Sequence, residues 1–286
     1  MTRLVGIFGY PLSHSLSPAI QQAAFDHHRI DALYQAWPTP PEELASEVAK
    51  LRGEQYLGAN LTIPHKVEVM QLLDSIDKMA MDIGAVNTIV SENGTLVGYN
   101  TDAYGFIKSL KEGSGITPNG KRALLLGAGG AARAAAYALA QEGVTHITIA
   151  NRTLSRAVSL GDEIRPILSD VVAISAEGPD LLEAAGSADI IVNSTSMGMR
   201  HSEAEGQSLL HSNEIPASAV VYDMVYNPSI TPLLSEARQA GARVVGGLGM
   251  LIHQGAAAFL KWTGKEAPID IMMEAGEKAL AQMASD

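Results

Sequence analysis

The 286-residue chain contains no cysteine. That removes disulfides, thiolate nucleophiles and cysteine-ligated zinc or iron–sulfur sites together. It is short of positive charge: 20 Lys and Arg stand against 31 Asp and Glu, a net charge of −11. Nucleic-acid affinity comes from basic patches that neutralise phosphates, so this balance argues against a nucleic-acid partner. No apolar run approaches the roughly 20 residues that span a bilayer. The opening Met1-Thr-Arg-Leu-Val-Gly6 lacks a basic stretch leading into a long apolar one, as a signal peptide requires. A cytoplasmic protein with no membrane partner is expected, in which Asn60-Leu-Thr62, Asn151-Arg-Thr153 and Asn193-Ser-Thr195 are not glycan sites. The eight histidines show no His-x-x-x-His spacing, and no metal site is expected.

What is present describes a folded α/β protein. Hydrophobic residues make up 47% and charged residues 18%, outside the range of disordered chains. At about 150 residues per domain the length predicts two domains. Short β-rich runs alternate with helical periodicity. Strands are expected near Leu4–Phe8, Leu33–Trp37, Tyr56–Ile63, Val86–Val90 and Thr95–Tyr99, with a helix at Pro41–Leu51. Asn93-Gly94 between the last two strands signals a hairpin. Thr101–Glu112 reads as a helix capped by Gly113, followed by the linker Gly115–Gly120, which marks a break between domains. Beyond it, Arg122–Leu126, Ile147–Ala150, Val171–Ile174, Ile190–Asn193, Ala219–Met224 and Arg243–Val245 read as strands of a mostly parallel sheet. Helices at Ala131–Gln141, Leu154–Ile164 and Thr231–Gln239 separate several of them. The tail from Gly249 to Met283 reads as two helices interrupted by Gly264 and Pro268.

Ala123-Leu-Leu-Leu126 runs directly into Gly127-Ala128-Gly129-Gly130-Ala131-Ala132 and then a helix. This is the strand–G-x-G-x-x-A–helix fingerprint in the setting that gives it meaning. Gly127 permits the tight turn, Gly129 lets backbone approach a pyrophosphate, and Ala132 allows close packing of helix on strand. The helix N-terminus faces the anion. NAD-binding folds carry an Asp or Glu about 20 residues on for the ribose hydroxyls. Here Ala150-Asn151-Arg152-Thr153-Leu-Ser-Arg156 has no acid and two arginines. As an i,i+4 helix pair the two guanidiniums would repel each other slightly, which favours an anion between them. NADP, with its 2′-phosphate, is the expected cofactor.

Three segments of the first third are rich in short polar residues between Gly and Pro: Gly9–Pro18, Gly58–Lys66, and Gly84–Thr88 with Gly98–Asp102. Each alone has an ordinary reading. Ser15 and Ser17 cap the helix after Pro18, Lys66 is a solvated lysine just inside a helix, and Asp102 is a helix-start acid. Gln254 adds a separate hint. Leu251, Gln254, Ala258 and Trp262 share one face of the tail helix, and an amide buried there needs a partner, either a ligand hydroxyl or another helix.

Together the motifs carry a resemblance. Ser15-Leu-Ser17-Pro18, Asn60-Leu-Thr-x-Pro-x-Lys66, Gly84-Ala-Val-Asn-Thr88, Asn100-Thr-Asp102, Gly127-Ala-Gly-Gly-Ala131 and Asn151-Arg-Thr-x-x-Arg156 occur in order. Asn193-Ser-Thr-Ser-Met-Gly198, Tyr222-Asp-Met-Val-Tyr-Asn-Pro228 and Gly249-Met-Leu-Ile-His-Gln254 follow. Over nearly its whole length the sequence resembles the shikimate dehydrogenase family.

The resemblance implies reversible NADP-dependent reduction of 3-dehydroshikimate to shikimate, towards chorismate and the aromatic amino acids. It implies an α/β fold with an N-terminal substrate domain, residues 1–101 and 247–286, and a Rossmann-type doubly wound NADP-binding domain, residues 102–246. The C-terminal helices return to the substrate domain. Lys66 falls on the catalytic lysine and Asp102 on its partner. Ser15, Ser17, Thr62, Asn87, Tyr226 and Gln254, with Lys66 and Asp102, fall on substrate contacts. Gly127, Ala128, Gly129, Gly130, Ala131, Asn151, Arg152, Thr153, Arg156, Met224 and Gly247 fall on cofactor contacts. Gln21-Gln22 stands where the family often has His-Asn.

Which of Lys66 and Asp102 carries the transferred proton stays open. A free lysine titrates near ~10.4, a general base works best at about 7–8, and a neighbouring carboxylate favours the ammonium. A quinate/shikimate dehydrogenase on the same scaffold is the nearest alternative. A non-catalytic NADP-binding regulatory module is another. Monomer and homodimer both fit.

Overall fold

The computed structural model describes residues 2–12 and 15–285. The chain divides into two compact units, residues 1–105 with 251–286, and residues 106–250. The divisions fall four residues beyond the positions read from the sequence. The linker Gly115–Gly120 lies inside the second unit and marks no boundary.

In the first unit, β1 (Arg3–Gly9), β2 (Ala32–Pro38), β3 (Tyr56–Leu61), β4 (Ser75–Ile76), β5 (Thr88–Glu92) and β6 (Thr95–Tyr99) form a sheet ordered β2-β1-β3-β5-β6-β4. β1 pairs in parallel with β2 and β3, while β3–β5 and β5–β6 are antiparallel. The β5–β6 hairpin turns at Asn93 and Gly94, both with positive φ (52° and 81°), as two-residue hairpin loops require. α1 (Ser17–His27), α2 (Leu44–Lys50) and α3 (Lys78–Ile83) complete the N-terminal part. Phe8, Leu44, Val48, Leu51, Leu61, Val69 and Ile89 belong to one buried core. Pro41–Glu43 forms a short 3₁₀ turn ahead of α2, so the helix expected at Pro41–Leu51 is split.

The second unit holds β7 (Arg122–Leu126), β8 (His146–Asn151), β9 (Val171–Ser175), β10 (Ile190–Asn193), β11 (Val220–Asp223) and β12 (Arg243–Val245). All its pairings are parallel, in the order β12-β11-β10-β7-β8-β9. Counted from its first strand this is the 3-2-1-4-5-6 order of the doubly wound dinucleotide fold. The strands are runs of Val, Ile, Leu and Ala, as expected of strands covered on both faces. α5 (Gly130–Gln141), α6 (Leu154–Ile164), α7 (Pro179–Gly186) and α8 (Pro232–Gln239) connect them. Leu124, Leu126, Leu181, Ile191, Val221, Leu233 and Leu234 are fully or almost fully buried in its core.

Two helices span the divisions: α4 (Asp102–Ser114) and α9 (Leu248–Thr263). α10 (Ile269–Ser285) ends the chain and packs on α1, and Phe25 of α1 meets Phe259 of α9 with ring centroids 5.1 Å apart. α4 runs through Gly113 and stops at Ser114, because Gly115 is the residue that adopts the left-handed conformation (φ 69°) that closes helices. Among the described residues no helix is long and apolar enough to cross a membrane.

Candidate active site

In the first unit, seven of the substrate-side residues named from the sequence lie on β-strand ends, on helices and in the turns beside them. Lys66 sits in the turn between β3 and the 3₁₀ segment Glu68–Leu72, not in a helix. Its carbonyl accepts the Val86 N–H (2.8 Å), which ties this turn to the Gly84–Thr88 segment. Asp102 is the first residue of α4, and the Asn100 side chain caps that end by accepting its N–H (3.0 Å). Lys66 Nζ lies 2.6 Å from Asp102 Oδ2, with side chains only 15% and 5% exposed. Lys66 is thus neither solvated nor in a helix, while Asp102 is the helix-start acid of its ordinary reading and is buried as well.

Asn87 is the hub beside this pair. Its Nδ2 donates to Asp102 Oδ1 (2.9 Å), to Thr101 Oγ1 (2.9 Å) and to Gln254 Oε1 (3.2 Å). Its Oδ1 accepts the Thr101 N–H (2.8 Å) and the Thr88 hydroxyl (2.9 Å). Gln254 on α9 is 9% exposed, and its Nε2 donates to Leu251 O in its own helix. The partner that a buried amide requires at this position is therefore Asn87. Gln21, a departure from the family pattern, ties α1 to α9 by donating to Gly255 O (2.9 Å).

α1 begins at Ser17 with Leu16 at its cap and no side-chain cap bond. Ser15 and Ser17 are thus not caps. Ser15 Oγ accepts the Ser17 N–H (3.3 Å), and Ser17 contacts the Tyr34 phenol. The Thr62 N–H is held by Phe8 O (2.9 Å), while its hydroxyl has no partner among the described residues. Asn87, Gln254 and Thr101 thus put two amides and a hydroxyl beside one buried ion pair, groups suited to a small, polyhydroxylated ligand. The sequence reading left out Tyr34, Asn60, Thr88 and Thr101, which hold Asn87 from behind. Asn60, Thr88 and Thr101 lie inside the quoted motifs. Tyr34 had only its place on the buried face of β2 to signal it, where a phenol needs a partner.

The second unit carries the cofactor-side residues and Tyr226, which is partly buried after β11. The turn from β7 into α5 holds Gly127 at φ 109°, where a Cβ would also stand 2.6 Å from Ser194 Oγ. Ala128, Gly130 and Ala131 are partly buried and Gly129 is exposed, with nothing within 4 Å of where its Cβ would be. No side chain caps α5, so its first N–H groups are available to an external acceptor. This cradle fits a pyrophosphate at a helix N-terminus.

At the end of β8, Asn151 Nδ2 donates to Thr153 O (2.8 Å), which shapes the turn into α6. Arg152 lies in that turn and Arg156 in the first turn of α6, so they are not a helical pair. Both are exposed, and neither guanidinium has a partner among the described residues. A cation at a helix N-terminus is disfavoured by the helix dipole, so this pair suits an added anion. The donor set fits a 2′-phosphate.

Gly247 meets the Met224–Val225 backbone so closely that a Cβ would overlap Met224 O. Beside them Asp223 is completely buried and accepts from Thr231 Oγ1 (2.6 Å), Asn193 Nδ2 (2.9 Å) and the Val225 N–H (3.0 Å). Burial pushes its carboxyl up to about 6 against the pull of these donors. Asp223 was not singled out from the sequence, although it stands in the quoted Tyr222–Pro228 motif. Among the described residues no cluster of His, Asp and Glu is arranged to hold a metal.

Comparison with known proteins gives the same family along the chain. Residues 7–89 match the shikimate dehydrogenase substrate binding domain, residues 111–242 the shikimate / quinate 5-dehydrogenase family, and residues 247–275 the shikimate 5′-dehydrogenase C-terminal domain. The shikimate dehydrogenase (NADP(+)) of Methanopyrus kandleri is 43% identical over 96% of this chain and 94% of its own. A crystal structure of shikimate 5-dehydrogenase from Thermus thermophilus in complex with NADP(H) and shikimate superposes with a TM-score of 0.86. It is 39% identical, and the match covers 97% of this chain and 99% of that one. Quinate dehydrogenase from Corynebacterium glutamicum in complex with NAD superposes equally well, at a TM-score of 0.86. Its identity is 32%, over 97% of this chain and 99% of its own.

Proposed function

The chain belongs to the shikimate dehydrogenase family, and on that premise we propose that Lys66 and Asp102 handle the proton in its reaction. That reaction is the reversible, NADP-dependent reduction of 3-dehydroshikimate to shikimate. The observation that carries this assignment is the buried 2.6 Å contact between Lys66 Nζ and Asp102 Oδ2, with Asn87 donating to the other carboxylate oxygen.

The nicotinamide cofactor, when bound, would supply the hydride to the ring carbonyl carbon as NADPH and would take one from the CH–OH carbon as NADP+. The residues of the chain must then move one proton at the oxygen. Lys66 Nζ gives up a proton as the ammonium on reduction, and as the neutral amine takes one back on oxidation. Asp102 fixes Nζ in place, and Asn87 fixes Asp102 in turn. Proton transfer by a positioned group is typically worth 10²–10⁴ in rate.

Ser15, Ser17, Thr62, Asn87 and Gln254 are assigned to the substrate carboxylate and hydroxyls. Tyr226 is carried as a substrate contact by the family resemblance. Gly127–Ala131 are assigned to the pyrophosphate, Asn151, Arg152, Thr153 and Arg156 to the 2′-phosphate, and Met224 and Gly247 to the remainder of the cofactor. The absence of an acid after β8 and the two unpartnered guanidiniums favour NADP over NAD.

Nicotinamide absorbance with purified protein tests the reading, with shikimate and quinate each paired with NADP and NAD. Fast NADP reduction with shikimate alone is the expected result. Comparable rates with quinate or NAD would move the protein to the dual-substrate branch of the family. No turnover with any pair would defeat the catalytic assignment.

A further inference from the structure

Behind the ion pair lie three buried polar groups that the proton-transfer reading does not use, Tyr34, Asn60 and Thr88. Tyr34, on β2, is 4% exposed, and its phenol donates to Asn60 Oδ1 (2.7 Å). Asn60, on β3, is also 4% exposed, and its Nδ2 donates to Asn87 O (3.2 Å) and Thr88 Oγ1 (3.1 Å). The Thr88 hydroxyl donates to Asn87 Oδ1, and Asn87 Nδ2 donates to Asp102 Oδ1. Asp102 Oδ2 holds Lys66 Nζ. Five links thus run from an outlying phenol to the lysine.

We propose that Tyr34 is a positioning residue for the Lys66–Asp102 pair, acting by fixing which way the buried amide of Asn60 faces and thereby aiming the Thr88 hydroxyl that, with the Thr101 N–H, holds Asn87.

The two ends of a carboxamide have nearly the same shape and opposite hydrogen-bonding character. An amide in this interior needs something to choose its orientation. A phenol donating to Asn60 Oδ1 forces Nδ2 towards Asn87 O and Thr88. Thr88, having accepted one bond, directs its own proton to Asn87 Oδ1. Together with the Thr101 N–H, which donates to the same oxygen (2.8 Å), this leaves Asn87 Nδ2 facing the Asp102 carboxylate. With Asn60 reversed, its oxygen would face Asn87 O, two acceptors together in a buried site. Burial holds the Tyr34 phenol well above its ordinary value, with a lesser opposing effect from its Ser17 contact. The phenol therefore remains a donor across the working range. The same hydroxyl touches Ser17, so one side chain braces two arms of the substrate side.

The proposal rests on Lys66 and Asp102 being the proton-handling pair, and Lys66→Ala measured in parallel tests that premise separately. The primary variant is Tyr34→Phe, which removes only the hydroxyl. Steady-state kinetics with shikimate and NADP should show kcat lowered about tenfold, the loss expected when a buried acceptor goes unpaired. The KM for NADP should stay within about twofold of wild type, since no assigned cofactor contact is touched. With Asn87 held less firmly towards the carboxylate, the acidic limb of the kcat–pH profile should move up by about half a unit or more. Thr88→Val breaks the same chain in its middle and should reproduce both changes. In the double variant the losses should combine to less than their product, because both cut one chain.

Unchanged kcat and pH profile in either folded variant, with only a lower Tm, would overturn the proposal and leave Tyr34 a structural residue. Equal losses in kcat and in NADP binding would overturn it too, as a general loosening of the fold. If Lys66→Ala keeps turnover within about tenfold of wild type, the premise fails and the proposal with it.

Discussion

Lys66 and Asp102 are an expensive pair to bury. Removing two charges from water costs several kcal/mol per ion, which their attraction only partly returns, and here the side chains are 15% and 5% exposed. Stability does not explain the pair, whereas the proposed proton transfer would. Lys66→Ala should therefore lower kcat by 10²–10⁴, with NADPH binding, followed by nicotinamide fluorescence, little altered. Asp223 is the complementary case, a buried carboxyl with no ammonium beside it. Its native value of about 6 lies above the ~3.9 of an unfolded chain. The native state holds this proton more tightly, so the contribution is present below pH ~4 and lost as pH rises through 6. The loss amounts to about 3 kcal/mol. Denaturant unfolding of wild type and Asp223→Asn should show the difference in stability shifting by that amount between pH 4 and pH 7, in favour of the variant. A pH-independent difference would show that the carboxyl does not titrate there.

Among the elements, joints were harder to read than strands. The six strands of the second unit were legible because each is a short apolar run, most of them separated by helices, whereas their order was not read from the sequence. The Asn93-Gly94 hairpin was legible because both residues favour positive φ. Gly113 was misread as a helix end. Whether a glycine caps a helix depends on which one takes the left-handed conformation, and here it is Gly115, a choice the local sequence leaves open. The two-residue β4 and six-residue α3 are too short for periodicity to register. In the site, every member of the hydrogen-bond chain except Tyr34 lies inside a quoted motif. That far link was not legible, since Tyr34 reaches Asn60 across 26 positions of sequence. One joint has a sharp consequence. Gly247, between β12 and α9, has no room for a Cβ against the Met224 carbonyl, and backbone cannot swing aside as a side chain can. Gly247→Ala should lower stability by about 1–3 kcal/mol and, by displacing Met224, raise the KM for NADP. A variant with wild-type Tm and KM would mean that this segment yields freely.

The whole molecule carries −11 and must bind a substrate carboxylate and a cofactor bearing several phosphate charges. The general field repels both ligands, so attraction has to come from a few local cations. On the proposed assignment Arg152 and Arg156 fill that role for the cofactor: both are exposed and no acidic partner among the described residues neutralises them. A charge-assisted contact to phosphate is worth about 1.5–3 kcal/mol. Replacing both arginines with alanine should thus raise the KM for NADP at least tenfold at low ionic strength, and leave the KM for NAD nearly unchanged. Salt separates the local effect from the global one. The Debye length falls from about 30 Å at 0.01 M to about 3 Å at 1 M. The repulsion by −11 is screened equally in wild type and variant and cancels in their ratio, whereas the local attraction exists only in wild type. The ratio of variant to wild-type KM for NADP should therefore shrink steadily with added salt, while the same ratio for NAD stays flat. A salt-independent NADP ratio would locate the 2′-phosphate away from these two guanidiniums. The residues after β8 would then shape the turn without selecting the cofactor.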